Sequence, residues 1–306
     1  MSTLPAEAPW TAINADWQRQ ARAEAEKTAT LLQLPFRQDV WRGAAGAFAG
    51  AGTGSSIDFQ DHRPYVPGDD PRYINWQAYA RTGHYTMKLY REEVSPLLDL
   101  VIDASPSLLV TPEKARRFLE LIGFVDACAA RAGSLLRLWQ VGRGLARELE
   151  RAVLPGLRLE HETALADDQP TCAPAFDRVE WRPNALRLLV TDLLFPGDPE
   201  ALLGPITRLS GRTLLFCPWD ASEAKPDWEG NLDMRDCEST RQRPHRFNPA
   251  LLRRYHEAYR QHFSLWEDLC QRRNVLLLRV RSEGTLAEAL LEQAHERGAI
   301  EFVHGA

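Results

Sequence analysis

The chain has 306 residues, of which 44% are apolar and 26% are charged, proportions typical of a globular protein with a buried core. Its net charge of −5 and its pI near 5.9 argue against a nucleic-acid-binding protein, which would usually carry a basic excess. Five widely spaced cysteines without a C-x-x-C pair argue against a disulfide scaffold and against a structural zinc site.

No stretch of the sequence predicts a targeting or membrane-spanning segment. The first 27 residues are polar and lack the apolar centre of a signal peptide. Apolar runs such as 97–100 and 186–190 are far shorter than the roughly 20 residues of a transmembrane helix. We therefore expect a cytoplasmic protein with no transmembrane segment.

The N-terminal third predicts one helix followed by less regular segments. Ala, Glu, Arg and Lys dominate residues 14–34, which favours a helix. A Gly/Ala-rich stretch at 43–54 has no lysine after its glycines, so it predicts a loop and not a Walker A motif. Alternation of apolar and polar residues over 84–92 then predicts a strand.

Beyond residue 96, predicted strands and helices alternate. The strands are predicted at 97–102, 134–141, 145–153, 185–190, 213–218 and 275–280. The helices are predicted at 113–131, 199–210, 249–273 and 286–297, with a short hairpin within 220–248. This alternation predicts an α/β fold with a doubly wound, mostly parallel sheet, and the charged strand 145–153 suits its edge.

These patterns divide the chain into three parts. Residues 1–42 form an N-terminal helical segment, and residues 43–96 contain the Gly-rich loop and a dense, β-rich segment. Residues 97–306 form the α/β domain. In a doubly wound sheet, ligands bind at the carboxyl ends of the strands where the winding reverses, so the strand ends of this domain are the first place to look for a site.

Polar side chains follow two of the predicted strands. Asp103, Ser105 and Ser107 come directly after the first strand of the α/β domain, and Asp192 follows a later one. Carboxylate and hydroxyl oxygens suit Mg²⁺, which uses one or two carboxylates and keeps several waters. The same loop also suits a polar turn whose serines cap the next helix. The residues alone leave a metal site and a capping loop equally open.

Charged and aromatic residues are concentrated between residues 56 and 93. The most prominent are Arg63, Asp69, Asp70, Arg72, Trp76 and Arg81. Arginine pairs with carboxylates through two parallel hydrogen bonds, which serves either an internal brace or a docking surface for a partner. Glycine, proline and tryptophan in the segment favour the brace, with a shaped backbone and an anchored ring.

Two features of the sequence resemble known families. Asp103-x-Ser105-x-Ser107 with the later Asp192 resembles the metal-ion-dependent adhesion site of von Willebrand factor A domains. The dense segment closely resembles the signature of the bacterial domain of unknown function 58 (DUF58) family, in which it directly precedes a von Willebrand A-like domain. It reads Asp58-Phe59-x-x-x-Arg63-x-Tyr65-x-Pro67-Gly68-Asp69-Asp70-Pro71-Arg72-x-Ile74-x-Trp76-x-x-x-Ala80-Arg81-Thr82-Gly83.

The resemblance implies both a fold and a function. It implies a sheet of von Willebrand factor A type and a non-enzymatic interaction protein. Its partners would be a MoxR-type AAA+ ATPase and client proteins, which the pair matures or remodels in a chaperone-like way. It also implies a divalent-cation site for Mg²⁺, with ligands from Asp103, Ser105, Ser107, Asp192 and a loop threonine, for which Thr171 is preferred to Thr163.

An enzyme remains the alternative interpretation. A metal-dependent hydrolase or phosphatase would use Asp103 and Asp192 at the same strand ends. The sequence has no G-x-S-x-G elbow and no H-E-x-x-H motif, so the hydrolases that depend on those motifs are excluded.

Overall fold

The computed structural model describes residues 15–36, 57–92, 95–157, 173–237, 242–294 and 297–303. The chain divides into two compact units. The larger unit consists of Met1–Trp41 and Pro96–Ala306, and the smaller unit is Arg42–Ser95. The N-terminal helix therefore belongs to the same unit as the sheet.

The described helices and strands are given below as two sets, each in chain order. The helices are α1 (Ala15–Leu31), α2 (Trp76–Thr82), α3 (Pro112–Arg131), α4 (Pro199–Thr207), α5 (Ala221–Ala224), α6 (Pro249–Arg272) and α7 (Leu286–Ala294). The strands are β1 (Leu32–Gln33), β2 (Ile57–Pro64), β3 (Thr86–Glu92), β4 (Leu97–Asp103), β5 (Leu135–Val141), β6 (Ala146–Leu149), β7 (Leu186–Val190), β8 (Thr213–Trp219), β9 (Gly230–Arg235), β10 (Gln242–Phe247), β11 (Val275–Arg281) and β12 (Glu301–Phe302).

A six-stranded sheet forms the centre of the larger unit. Its strand order is β11-β8-β7-β4-β5-β6, and every neighbouring pair is parallel except β5 and β6. Numbered along the chain, this is the doubly wound order 3-2-1-4-5-6, in which the winding reverses between β4 and β7. The predicted mixed α/β fold with a mostly parallel sheet is confirmed, as is the edge position of the charged strand, β6, which the structure shows to be antiparallel.

Apolar residues cover both faces of this sheet because successive side chains of a strand point to opposite sides. Leu98, Leu100 and Ile102 of β4 join the apolar cluster formed with α1, α3 and α7. Val101 joins the other cluster, which is formed with α4 and α6. Strands buried on both faces read as continuous apolar runs, which is why the sequence predicts this one so clearly.

Helix α1 lies unusually close to α3. Ala21, Ala25 and Ala29 of α1 are buried, and an added Cβ at Gly123 of α3 would come within 3.0 Å of the Cβ of Ala25. The small side chains let the two backbones approach each other. The alanine-rich composition that predicts a helix here also supplies its packing surface.

Several predicted boundaries differ from the structure. The edge strand predicted at 145–153 is only Ala146–Leu149, and a 3₁₀ turn at Arg151–Gly156 follows it. Strand β2 was not predicted, and it pairs antiparallel with β3 in the smaller unit. The hairpin predicted within 220–248 is formed by β9 and β10. None of the helices that the structure describes is long and apolar enough to cross a membrane.

Arg187 fixes the loops at the amino end of β7. Its side chain is fully buried inside the larger unit. Its guanidinium donates hydrogen bonds of 2.7–3.1 Å to the backbone carbonyls of Arg182, Ile206, Leu209 and Ser210. Ile206 lies in the last turn of α4, whose carbonyls have no partner within the helix, so this one side chain satisfies an acceptor that the helix end leaves open and also holds the loop that follows it.

We expect Arg187→Met to lower the free energy of unfolding by about 3 kcal/mol, because it leaves buried carbonyls without donors. Urea denaturation followed by circular dichroism measures the change. Arg208→Met is the matched control, since Arg208 is exposed and lies at the end of α4. Equal stability of the two variants would show that the buried guanidinium contributes nothing.

Candidate functional site

Two buried carboxylates meet where the winding of the sheet reverses. Asp103 is the last residue of β4, and Asp192 lies just beyond the end of β7. The two strands are neighbours, with Ile102 opposite Val190. Both carboxylates are buried, and the charge of Asp192 acts on Asp103. The structure thus brings together the two aspartates that the sequence singles out.

Asp103 is held by hydroxyl and amide donors. Its Oδ1 accepts hydrogen bonds from the backbone N–H of Ser105 at 2.8 Å and from the Ser105 hydroxyl at 2.5 Å. Its Oδ2 accepts one from the Thr191 hydroxyl at 2.7 Å. Burial and the charge of Asp192 raise the pKa of Asp103 from 3.8 to about 7, against the opposing effect of these hydrogen bonds. This carboxyl group is therefore partly protonated near neutral pH.

Lys114 of α3 supplies the positive charge at this edge. Its side chain is fully buried, and its Nζ donates a 2.8 Å hydrogen bond to Oδ2 of Asp192. The same Nζ also donates to Oε1 of Glu223. Burial alone would lower the pKa of Lys114, but the charges and hydrogen bonds of Asp192 and Glu223 raise it above its ordinary value. The ammonium group is therefore charged.

A second Asp-Ala-Ser sequence repeats the arrangement of the first. Asp220 follows β8, and its Oδ1 accepts from the backbone N–H of Ser222 at 2.8 Å and from the Ser222 hydroxyl at 2.5 Å. Its Oδ2 accepts from the Thr111 hydroxyl at 3.0 Å. Burial favours a higher pKa for Asp220, but these hydrogen bonds and the charge of Lys114 outweigh it and lower the pKa. Asp220 is therefore an ionised neighbour of Lys114.

The backbone after β7 is strained. Leu193 is buried and has a φ of +59°, a left-handed conformation that costs a branched-chain residue roughly 1–2 kcal/mol. Asp192 Oδ1 accepts from the backbone N–H of Leu194 at 3.0 Å, and the carbonyl of Leu193 contacts Nε2 of His262 at 2.8 Å. These contacts hold the tight turn that presents Asp192 to Lys114.

Lys114 lies close to the position that a divalent ion bound by Asp192 would take. A Mg²⁺ about 2.1 Å from the oxygen of Asp192 that accepts from Lys114 would lie at most about 5 Å from the ammonium nitrogen. Repulsion between the two charges at an effective dielectric constant of about 20 is on the order of 7 kcal/mol. Within the described ranges, no three His, Cys, Asp or Glu side chains are arranged to hold a metal.

The structure describes two of the three other predicted ligands. Ser105 bonds Asp103, as described, and Ser107 is buried in the short turn Pro106–Leu109. Thr171 lies outside the described residues. The threonine that contacts Asp103 is Thr191, next to Asp192 in the sequence.

Several contributors to the site were missed by sequence reasoning, among them Glu223, which no local pattern distinguishes. Thr191 stands directly before a predicted site residue, and Asp220-Ala221-Ser222 visibly repeats Asp103-Ala104-Ser105. Lys114 left a weaker signal: it lies in the first turn of a predicted helix, where the helix dipole disfavours a cation.

In the smaller unit, Arg63 and Asp69 form a brace. Two parallel hydrogen bonds of 2.7 and 2.6 Å join the guanidinium to the carboxylate. Asp69 also accepts from the backbone N–H of Val66 at 2.9 Å. The pair lowers the pKa of Asp69, chiefly through the hydrogen bonds from Arg63. Asp70 pairs with Arg72 two residues away and caps the following turn.

The aromatic residues of the smaller unit are only partly packed. Trp76 is 58% exposed, so it is not the anchored ring that the sequence suggested. It meets Tyr79 and Tyr85 edge-on, and these two tyrosines stack with centroids 4.5 Å apart. Arg81 donates to the backbone carbonyl of Gln77, and no ion pair with a described residue is formed. The brace thus rests on Arg63 and Asp69, while Trp76 and Arg81 lie at the surface.

A family model described as "Protein of unknown function DUF58" matches residues 61–264. The chain belongs to the DUF58 family. The matched range includes both the Arg63–Asp69 brace and the strand-end residues from Asp103 to Glu223. The family model therefore includes residues of both compact units.

Two solved structures resemble this DUF58 chain weakly. One is the conserved hypothetical protein BatB from Bacteroides thetaiotaomicron, with 14% sequence identity and a TM-score of 0.35. The other is an aerotolerance-related membrane protein from Bacteroides fragilis NCTC 9343, with 14% identity and a TM-score of 0.32. Each match covers 67% of this chain and 99% of the other. No curated protein matches the chain.

We expect Asp103→Asn to remove a pH dependence of stability. Between pH 3.8 and about 7, the folded chain keeps a proton on Asp103 that the unfolded chain releases. The free energy of unfolding of the wild type should therefore fall as pH rises, by up to about 1.4 kcal/mol per pH unit. The stability of Asp103→Asn relative to the wild type should rise over the same window.

Urea denaturation at several pH values measures this difference. Asp268→Asn is the control, because Asp268 is exposed on α6. A difference between Asp103→Asn and the wild type that stays constant with pH would contradict the raised pKa.

We expect Arg63→Lys to loosen the loop that Asp69 closes, because an ammonium cannot make the two parallel hydrogen bonds of a guanidinium. Hydrogen exchange should become faster at the amides of Val66 and Asp69. Arg72→Lys is the control, since its partner Asp70 is two residues away and needs no such brace. Equal exchange rates at these amides in both variants would contradict a bracing role for the Arg63–Asp69 pair.

Proposed function

We propose that this DUF58 chain is a non-catalytic interaction module built on a von Willebrand factor A-like domain. It docks a MoxR-type AAA+ ATPase in the cytoplasm, and the pair matures or remodels client proteins. The observation that carries the proposal is the Asp103–Ser107 loop at the carboxyl ends of β4 and β7, between which the winding reverses, the part of a doubly wound sheet where ligands bind.

The surface beside this loop suits a protein partner. Ser105 and Pro106 are half-buried, and Val110, directly after the turn Pro106–Leu109, is 42% exposed. An exposed aliphatic side chain beside a loop fixed by buried hydrogen bonds offers an apolar contact at low cost in conformational entropy. The Asp103 and Asp220 clusters below it keep that loop in one shape.

The contacts of the carboxylates argue against the hydrolase alternative. A metal-dependent hydrolase needs Asp103 and Asp192 to share an ion that activates water. Asp192 instead accepts from Lys114, and the two oxygens of Asp103 accept from Ser105 and Thr191. The carboxylates thus support the loops, which is the role an interaction module requires.

We expect Val110→Asp to weaken binding of the purified MoxR-type ATPase at least about 10-fold, or about 1.4 kcal/mol, because it puts a charge in an apolar contact. Calorimetry on the full chain measures the dissociation constant. Leu135→Asp is the matched control: Leu135 is 57% exposed and starts β5, so it lies at the opposite edge of the same sheet.

Two outcomes would count against the proposal. Absence of any binding between the wild-type chain and the ATPase would remove the partnership. Equal weakening by Val110→Asp and Leu135→Asp would move the docking surface away from the Asp103–Ser107 edge.

A further inference from the structure

Lys114 provides a cation where the family resemblance predicts a metal ion. Its side chain is fully buried, and its Nζ donates to Asp192 at 2.8 Å and to Glu223. Asp192 is one of the predicted metal ligands. The positive charge at this edge is therefore already present, and it is covalently part of the chain.

The position of Lys114 near the start of α3 would be unfavourable without carboxylates close by. It is the third residue of α3, after the N-cap Thr111 and the first-position Pro112. Cations are disfavoured near the start of a helix, where the dipole is positive. A flexible, strongly hydrated lysine side chain is also costly to bury unless carboxylates neutralise it. Only the carboxylates around it make this placement favourable.

The carboxylates that surround Lys114 come from two neighbouring strand ends. Asp192 follows β7, whereas Asp220 and Glu223 follow β8. The charges of Asp192 and Glu223 act on Lys114, and the charge of Lys114 acts on Asp220. Thr111 binds Asp220 from the same helical turn. The first turn of α3 thus does what a bridging ion would do between the two loops.

We propose that the Lys114 ammonium is the resident cation of this edge, held in place of Mg²⁺, and that the Asp103–Asp192 site needs no divalent ion. The charges, the distances and the full burial of the lysine support this assignment. It goes beyond the docking function and holds whether or not the ATPase binds, because it concerns the isolated chain.

Titration of Mn²⁺ into the purified full-length chain, followed by electron paramagnetic resonance of the free ion, tests the proposal. We expect no binding up to millimolar Mn²⁺, and no change in Tm with Mg²⁺ or EDTA. Binding of one ion per chain that disappears in Asp192→Asn would overturn the proposal.

Two variants of Lys114 separate its charge from its volume. Lys114→Ala opens space beside unneutralised carboxylates and should bind Mn²⁺ at least tenfold more tightly than the wild type. Lys114→Met fills most of the space without a charge, so it should be less stable than the wild type and gain less Mn²⁺ affinity than Lys114→Ala.

A folded Lys114→Ala without any gain in Mn²⁺ binding would overturn the proposal, as would a Lys114→Met as stable as the wild type. If neither variant folds, the wild-type titration decides alone. Failure of the ATPase to bind would leave all these measurements unaffected.

Discussion

The carboxyl edge of the sheet depends on one buried ion pair. Lys114 has no exposed surface, and its ammonium joins the first turn of α3 to the loops after β7 and β8 through Asp192 and Glu223. A buried pair adds little net stability compared with apolar residues, but removing one partner leaves an uncompensated charge and costs roughly 3–5 kcal/mol. Because Lys114 stays neutralised only while Asp192 and Glu223 are both beside it, the pair favours one arrangement of these three elements.

The same aspartate–serine turn occurs twice at the carboxyl ends of these strands. One turn is Asp103-Ala104-Ser105 at the end of β4, and the other is Asp220-Ala221-Ser222 after β8. In each turn the aspartate carboxylate accepts a hydrogen bond from the backbone N–H of the serine two residues later. In each case a threonine from another element binds the second carboxylate oxygen. The adhesion-site resemblance fits the first of these loops, yet the second has the same geometry without that resemblance. Much of the Asp-x-Ser pattern is therefore explained by turn formation alone.

The sequence predicts the sheet well because its strands are buried apolar runs that end in turns, as at Leu97–Asp103 and Leu186–Val190. The site was predicted only in part. Asp103 and Asp192 were predicted as site residues because they stand at strand ends. The partners of Lys114 lie 78 and 109 residues away from it, and no local sequence pattern predicts these contacts. The anchored ring predicted for Trp76 was wrong, because the exposure of a tryptophan in a charged segment depends on neighbours that the local sequence does not specify. Both features depend on contacts between residues that are distant in the sequence, which local sequence patterns do not predict.

The ion pair also governs how this edge opens. If the loop after β7 moved away alone, Lys114 would lose Asp192 while remaining buried beside Glu223, and the loop after β8 would meet the same penalty. Partial opening is therefore unfavourable for each loop separately. The two loops and the start of α3 should fluctuate as a single cooperative unit, and their amides should exchange with solvent together rather than one loop at a time.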